Sequence, residues 1–438
     1  MNVLETALPA ELRPFVSPRV GIVTALEECM IDVDEPPLVR IACELAAVDE
    51  VIGVDLGPAH NGGSGMSRER AIGAAVGEAI ERYSAAYVPR DRLVAATAAE
   101  LGPRAADPSS FGLFAESQYA RAGYPYSPFT DATRVSWVDG VDLATGEAAW
   151  IPAELVFLAD VDPVEGTRIG YATSSGLACG ASAGEALERA LLELLERDAF
   201  MIAWWRRLSP PHLDWSSHRR MTAIDRRYFE PTGLPYYALD LSWVHELPIV
   251  AAVVRAPGSG AALGVGASAN ATVEEAWWHA LAEAFASRSA CRKLRLLDPE
   301  HRYADDGSDV TSFDDHIRFY GDDERADRAS FLWSGREKRP VDAVPMLSRD
   351  AGERRAEFLA RIARTGSRAF AVDVTAPDVA GAGLHVFRAV APGLCPLDAA
   401  HDSRFLGSPR LLEPSERDTL THPVRTVEDL NQLPHPFP

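Results

Sequence analysis

Two stretches of the chain carry the same pattern of ionisable residues. Glu78, Glu81 and Arg82 recur as Glu193, Glu196 and Arg197, an E-x-x-E-R motif each time. At 3.6 residues per turn, positions i, i+3 and i+4 share one side of a helix, so each motif gathers two carboxylates and a guanidinium on one face. Val76, Ala79, Ile80 and Tyr83 make the apolar face of the first, and Leu187, Ala190, Leu191 and Leu194 that of the second. A rotation of 100° per residue brings Glu185 within an arc of about 80° with Glu193 and Glu196. A third stretch sets Glu275, His279 and Glu283 in an i, i+4, i+8 row. Carboxylate oxygens are the ligands Mg²⁺ requires, and neighbouring arginines balance them or meet phosphate oxygens. If the faces meet, they form a site for two or more cations. Taken singly, each motif is also what a solvated amphipathic face carries. Ser182-x-x-Glu185 and Thr272-x-x-Glu275 moreover spell capping boxes, which give those acids a structural task.

The helices needed to present these faces are predicted at about 67–88, 182–206 and 272–296. Asn61-Gly62-Gly63-Ser64-Gly65 precedes the first and TSSGLACGAS (173–182) the second. Each reads either as a flexible turn or as backbone N–H groups cradling a phosphate. A hairpin is predicted over 135–157 around the turn 143–147, with further strands in LPYYALDLSW, LPIVAAVVRAPG, AALGVGASAN, SRAFAVDVT and GLHVFRAVAP. Residues 298–327 hold eleven acids against three arginines, which reads as a solvated acidic loop or helix face. The chain ends Pro434-His435-Pro436-Phe437-Pro438. Alternating prolines favour an extended arm, so the end is either frayed or a stiff strut that delivers its terminal carboxylate, a candidate general base, to one place.

Composition narrows the function classes. The 438 residues carry 43 basic and 64 acidic side chains, a net charge of −21. Such a chain is repelled by phosphate backbones and anionic lipid, which argues against nucleic acid and membrane as partners. A nucleotide stays possible because Mg²⁺ inverts the local sign. Five scattered cysteines without CxxC spacing suit reduced thiols in cytosol. No secretory signal opens the sequence, and no apolar run nears the roughly 20 residues of a membrane span. A soluble cytoplasmic protein is expected. GxSxG and HExxH are missing, and His316 within DDHIRFY reads as a structural hydrogen-bonder.

At these residues the sequence closely resembles the YcaO family, and within it the azoline-forming cyclodehydratases (D proteins) of thiazole/oxazole-modified peptide (RiPP) and antibiotic biosynthesis. The likeness covers SPRVGIV, GEAIERYSA (77–85), ATSSGLACG, ALLELLERDAFMIAWW (190–205), FDDHIRFY, DVTAPDVAGAGLHVFRAVAPGLCPL (373–397) and LGSPRL. The PxPxP terminus is its most specific feature. The resemblance implies an α+β YcaO-type fold, with mixed and antiparallel sheets and packed helices that carry a Glu-rich ATP/Mg site. It implies a 1–58 segment ahead of one large unit at 59–438. It further implies that a Cys, Ser or Thr side chain of a precursor peptide attacks a backbone amide, whose oxygen is phosphorylated from ATP and lost as phosphate. Carried over by motif, Glu78, Glu81, Glu193 and Glu196 would be Mg²⁺ ligands. Arg82, Ser175, Glu185, Arg197, His279 and Glu283 would bind ATP, and the Pro438 carboxylate would act as base. Ala74, Ser175, Ala181, His279, Ala286 and Ser64 depart from the usual residues. The carboxylates therefore match the family better than the neutral and basic nucleotide contacts do. The departures motivate the alternative of a non-catalytic subunit or scaffold. A separate E1-like or ocin-ThiF-like leader-binding partner, and a homodimer, are the expected assemblies.

Overall fold

The computed structural model describes residues 3–46, 60–413 and 424–438. Strands β1 (Val23–Glu28), β2 (Val39–Leu45) and β3 (His60–Gly65) form an antiparallel sheet in that order. A second sheet runs β4 (Val94–Ala96), β5 (Val135–Asp142), β13 (Phe370–Asp373), β14 (His385–Val390) and β7 (Leu177–Gly180), with β6 (Ala148–Pro152) paired to β5. The third runs β11 (Leu263–Ala269), β10 (Ile249–Arg255), β9 (Tyr236–Asp240), β8 (His212–Asp214) and β12 (Lys338–Pro340), and only its β8–β12 pair is parallel. The fold is therefore α+β with mixed and antiparallel sheets.

Three long helices cover these sheets: α1 (Arg68–Ala86), α2 (Ala183–Trp205) and α3 (Val273–Leu297). Each starts where a hydroxyl satisfies an orphan backbone donor. Ser67 accepts from the Arg70 N–H, Ser182 from Glu185 and Thr272 from Glu275. Neither predicted capping box closes reciprocally. The Glu185 carboxylate takes the Ala181 N–H at 3.1 Å, and the Thr272 hydroxyl donates to the Glu275 carboxylate at 3.2 Å.

Helices and sheets approach closely because glycines face alanines. A Cβ on Gly63 would lie 2.3 Å from the Ala71 carbonyl oxygen of α1, and one on Gly264 would lie 2.2 Å from that of Ala284 on α3. A Cβ on Gly266 would lie 2.6 Å from Ala284 N of α3, and one on Gly180 2.7 Å from Ala186 N of α2. The Asn61–Gly65 stretch is thus not a flexible turn. It is strand, paired with β2 from Gly65↔Val39 to Asn61↔Cys43, and Gly63 and Gly65 let α1 lie against its backbone. Gly264→Ala should destabilise the fold by about 1–3 kcal/mol, the cost of overpacking against rigid backbone, measured by urea unfolding.

The largest core surrounds α2, where Leu191, Leu195 and Phe200 pack with β11, residues 389–411 and the C-terminal Leu430, Leu433 and Phe437. A second core joins Leu4, Leu8 and Leu12 to α1, β5, β13 and β14. The expected boundary at 58/59 lies outside the described residues. Residues 298–327 are not simply a solvated face. Asp322 pairs with Arg295 and Asp327 with Arg255, and Asp315 accepts the Tyr303 hydroxyl at the start of α4 (Phe313–Phe319).

The C-terminal arm is anchored rather than frayed. The Asn431 N–H donates to Trp205 O at 2.7 Å, the Trp204 indole to Leu433 O, the Tyr320 hydroxyl to Pro434 O, and Phe437 packs on Phe200 at 4.9 Å. The arm therefore travels from Trp205 back toward Phe200, antiparallel to α2. Among the described residues, no helix is long and apolar enough to cross a membrane.

Candidate active site

The three helices bring five glutamates together, and backbone N–H groups hold all five, four from adjoining strands (that of Gly62 on Glu78 at 3.4 Å among them) and one from the turn before β7. Glu81 of α1 accepts from Cys179 at 2.8 Å, and Glu193 of α2 from Gly176 at 3.2 Å. Glu196 accepts from Ala269 at 2.7 Å, and Glu283 of α3 from Ala267 at 2.8 Å. Gly176 has φ 78°, a conformation that turns its N–H toward α2 at little cost for glycine. Glu78, beside Glu81, receives Arg82 at 2.7 Å. All five are half-buried.

Their proton affinities record the crowding. Withdrawal from bulk water, reinforced by Glu193 and Glu78, lifts Glu81 to about 8. Burial, with Glu193 and Glu78, lifts Glu283 to about 7. Burial also pushes Glu196 well above the ordinary value, with Glu283 and Glu193 adding to it, and raises Glu193 against the pull of Arg197. Hard oxygen donors that repel one another suit Mg²⁺, which would replace their protons. The folded, metal-free protein retains protons that the unfolded chain has released. Its stability should therefore fall as pH rises from about 4.5 through 7 to 8. Mg²⁺ should restore most of that loss. Melting temperatures across this range, with and without Mg²⁺, test the sign.

Of the remaining predicted residues, Arg197 and Ser175 adjoin Glu193 most directly. Arg197 pairs with Glu193 at 3.0 Å and donates to the hydroxyls of Ser174 and Ser175 at 3.2 and 3.0 Å. Ser175 is buried and also bonds Thr173 at 2.9 Å. Glu185 lies in the first turn of α2 and pairs with Arg189 at 2.6 Å. His279 sits one turn before Glu283, exposed beside the Trp278 ring. Pro438 is half-buried at the end of the anchored arm.

Residue patterning did not single out Arg388, Asp198 or the meeting of His316 with Asp398 and His435. Arg388, 2% exposed on β14, donates to Val156 O at 2.9 Å and Ser175 O at 2.5 Å. Its signal was an arginine inside the apolar run VFRAV. Asp198 is fully buried in α2 and binds the Cys395 N–H at 2.8 Å, His245 at 2.7 Å and Arg410. Burial opposes its charge, yet Arg410 and His245 hold it down to about 2. Asp198→Ala strands the Arg410 guanidinium in the core and takes away the buried partner of His245, and should cost about 3–5 kcal/mol in urea unfolding. Third, His316, Asp398 and His435 place one ligand atom each within 4.8 Å of one another. The two histidines already face partners there. His316 meets His435 O at 2.8 Å and Ala399 O at 3.1 Å, and His435 meets Asp398 O at 2.8 Å and the Phe437 N–H. They therefore act as fasteners of the C-terminal arm, in keeping with the structural reading of His316.

An α+β chain whose helices converge on an acidic, arginine-backed cleft belongs with proteins that bind divalent cations and nucleotides. A sequence profile described as YcaO cyclodehydratase, ATP- and Mg²⁺-binding, matches residues 62–395. The chain belongs to the YcaO family, and ATP and Mg²⁺ are its cofactors. Its fold is shared with a heterocyclase solved in complex with substrate and cofactor (TM-score 0.75, 20% identity, 100% of this chain and 57% of that one). It is shared too with YcaO from Methanopyrus kandleri bound with AMPPCP and Mg²⁺ (0.57, 21%, 85% and 86%). A third likeness is to the E. coli microcin synthetase McbBCD complex (0.57, 15%, 84% and 87%). An uncharacterized protein of Methanothermobacter thermautotrophicus is 29% identical over 155 residues, 35% of this chain. The match spans 37% of that relative, as the chain spans little more than half of the heterocyclase.

Proposed function

We propose that this protein is an active azoline-forming cyclodehydratase that converts Cys, or Ser and Thr, of a ribosomal precursor peptide to thiazoline or oxazoline. One observation carries the reading: carboxylates from three helices, fixed by backbone N–H groups, gather into one half-buried, arginine-backed cluster. In this reading Glu78, Glu81, Glu193 and Glu196 hold Mg²⁺, while Arg82, Ser175, Glu185, Arg197, His279 and Glu283 hold the nucleotide. When bound, Mg·ATP supplies the phosphoryl group that turns the former amide oxygen into a leaving group. Arg197, between Glu193 and Ser175, balances charge at that end of the cleft. The arm's course along α2 supports Pro438 as base, since one turn beyond Phe200 lie Arg197 and Glu196. Its carboxylate accepts the thiol or hydroxyl proton as the side chain adds to the amide carbon. Departure of phosphate and loss of the amide proton then leave the C=N bond.

Residues 1–58 serve as a segment ahead of a single unit at 59–438. A separate E1-like or ocin-ThiF-like protein presents the precursor in the cytoplasm, with the chain alone or as a homodimer. The test incubates the chain with such a partner, ATP, Mg²⁺ and a Cys-containing precursor, and follows peptide mass. The expected result is loss of one water per modified residue with stoichiometric ADP. An unchanged peptide, with no phosphate released, would instead support a scaffold role.

A further inference from the structure

Arg388 and Glu193 hold the two ends of one backbone amide. Arg388 Nη1 donates to Ser175 O at 2.5 Å, and the Gly176 N–H of that same peptide donates to Glu193 at 3.2 Å. The amide is the centre of a tight turn. The Leu177 N–H returns to Ser174 O at 3.0 Å, Gly176 has φ 78°, and Ser175 keeps a negative φ. These are the marks of a type II turn, whose type I alternative differs by a half-rotation of the central peptide alone.

Glycine takes either form freely, so its identity does not decide between them. The flip would leave Ser174 and Leu177 in place, with Leu177 still paired to Arg388 across β7 and β14. It would turn the N–H away from Glu193 and aim the Ser175 carbonyl oxygen at that carboxylate. Glu193 is a poor guard against this, since a cation competes for its oxygens. Arg388 grips the other end whether the cleft is loaded or empty. Its Nε is fixed on Val156 O at 2.9 Å, and the residue is 2% exposed. Burial lowers the guanidinium only to about 10, with Glu193 and Glu81 supporting the cation, so it stays charged at neutral pH.

We propose that Arg388 is a positioning residue for the carboxylate cluster: its grip on Ser175 O locks the 175–176 peptide with the N–H on Glu193. The carboxylate that receives the cation is thereby fixed from behind, through the backbone. This assignment rests on the metal-binding reading of Glu193. It makes a buried residue of β14 a determinant of cation affinity.

Selective labelling reads the peptide directly. The sequence has four Ser-Gly pairs, at 64–65, 175–176, 259–260 and 334–335. Serine carrying carbon-13 at its carbonyl, with nitrogen-15 glycine, therefore gives four amide signals, and Ser175→Ala deletes that of Gly176. The variants are Arg388→Gln and Arg388→Lys, the second because an ammonium has no planar fork to span both carbonyls. With the fold intact by circular dichroism, the Gly176 amide should exchange with solvent at least about tenfold faster. Mn²⁺ affinity, read from the paramagnetic resonance of the free ion, should fall about 10–100-fold. Glu193→Gln added to Arg388→Gln should cost almost no further affinity, because both changes act on one ligand. Unaltered exchange at Gly176, or losses that add in the double variant, would overturn the assignment. So would collapse of both single variants, which would make Arg388 a residue of the core alone. Failure of the metal reading looks different: Mn²⁺ would then leave the Gly176 signal of the wild-type chain as sharp as the other three.

Discussion

Glu196→Gln should lower peptide-dependent ADP release at least about a hundredfold and yet raise the melting temperature of the nucleotide-free protein. Glutamine keeps the shape of the side chain, and its carbonyl oxygen can still accept the Ala269 N–H that Glu196 receives at 2.7 Å. Only the charge goes. In the metal-free cleft that charge is a liability, because burial, Glu283 and Glu193 all oppose it. Its removal should stabilise the apo protein by about 1–3 °C, the trade expected where a site is strained for function. The same charge is what a cation requires, and losing one preorganised group at a phosphoryl-transfer site costs about 10²–10³ in rate. The stabilisation conferred by Mg·AMPPCP should shrink accordingly. A purely structural Glu196 would give the opposite pair: a lower melting temperature and undiminished turnover.

The second large effect lies at the other end of the chain. Semisynthesis that ends the protein in Pro438 carboxamide should lower kcat about 10²–10⁴-fold, the range for a positioned general base. Peptide KM and ATP affinity should hold. The amide removes one charge and leaves every anchor intact: Asn431 on Trp205, the Trp204 indole on Leu433, Tyr320 on Pro434 and Phe437 on Phe200. Deleting Pro438 instead moves a carboxylate to Phe437, about 3–4 Å short of its place, and should be nearly as damaging. Wild-type turnover from the carboxamide would remove Pro438 from the chemistry.

The helices were legible because each is a long amphipathic run opened by a hydroxyl cap. Ser67, Ser182 and Thr272 cap helices that span Arg68–Ala86, Ala183–Trp205 and Val273–Leu297. The hairpin read equally well, with strands Val135–Asp142 and Ala148–Pro152 around its turn. Asn61–Gly65 did not read as strand, since glycine has little intrinsic strand preference and its pairing with β2 and fit against α1 are tertiary. A helix face likewise says which carboxylates share a side, but not that three faces meet. That meeting depends on backbone N–H groups from β3, β7, β11 and the turn before β7. The proline pattern at the C-terminus left a frayed end and a stiff arm both open. What fastens it, His316 and Tyr320, lies 119 and 114 residues away in the chain, beyond any local pattern.

The most direct measurement follows the amide oxygen itself. A Cys-containing precursor labelled with oxygen-18 at the amide preceding the reactive cysteine is turned over with ATP, Mg²⁺ and the leader-binding partner, and the released phosphate is weighed. Amide activation at the glutamate cleft predicts that each phosphate carries one labelled oxygen. Unlabelled phosphate, with the label recovered in water or retained in the peptide, would contradict it.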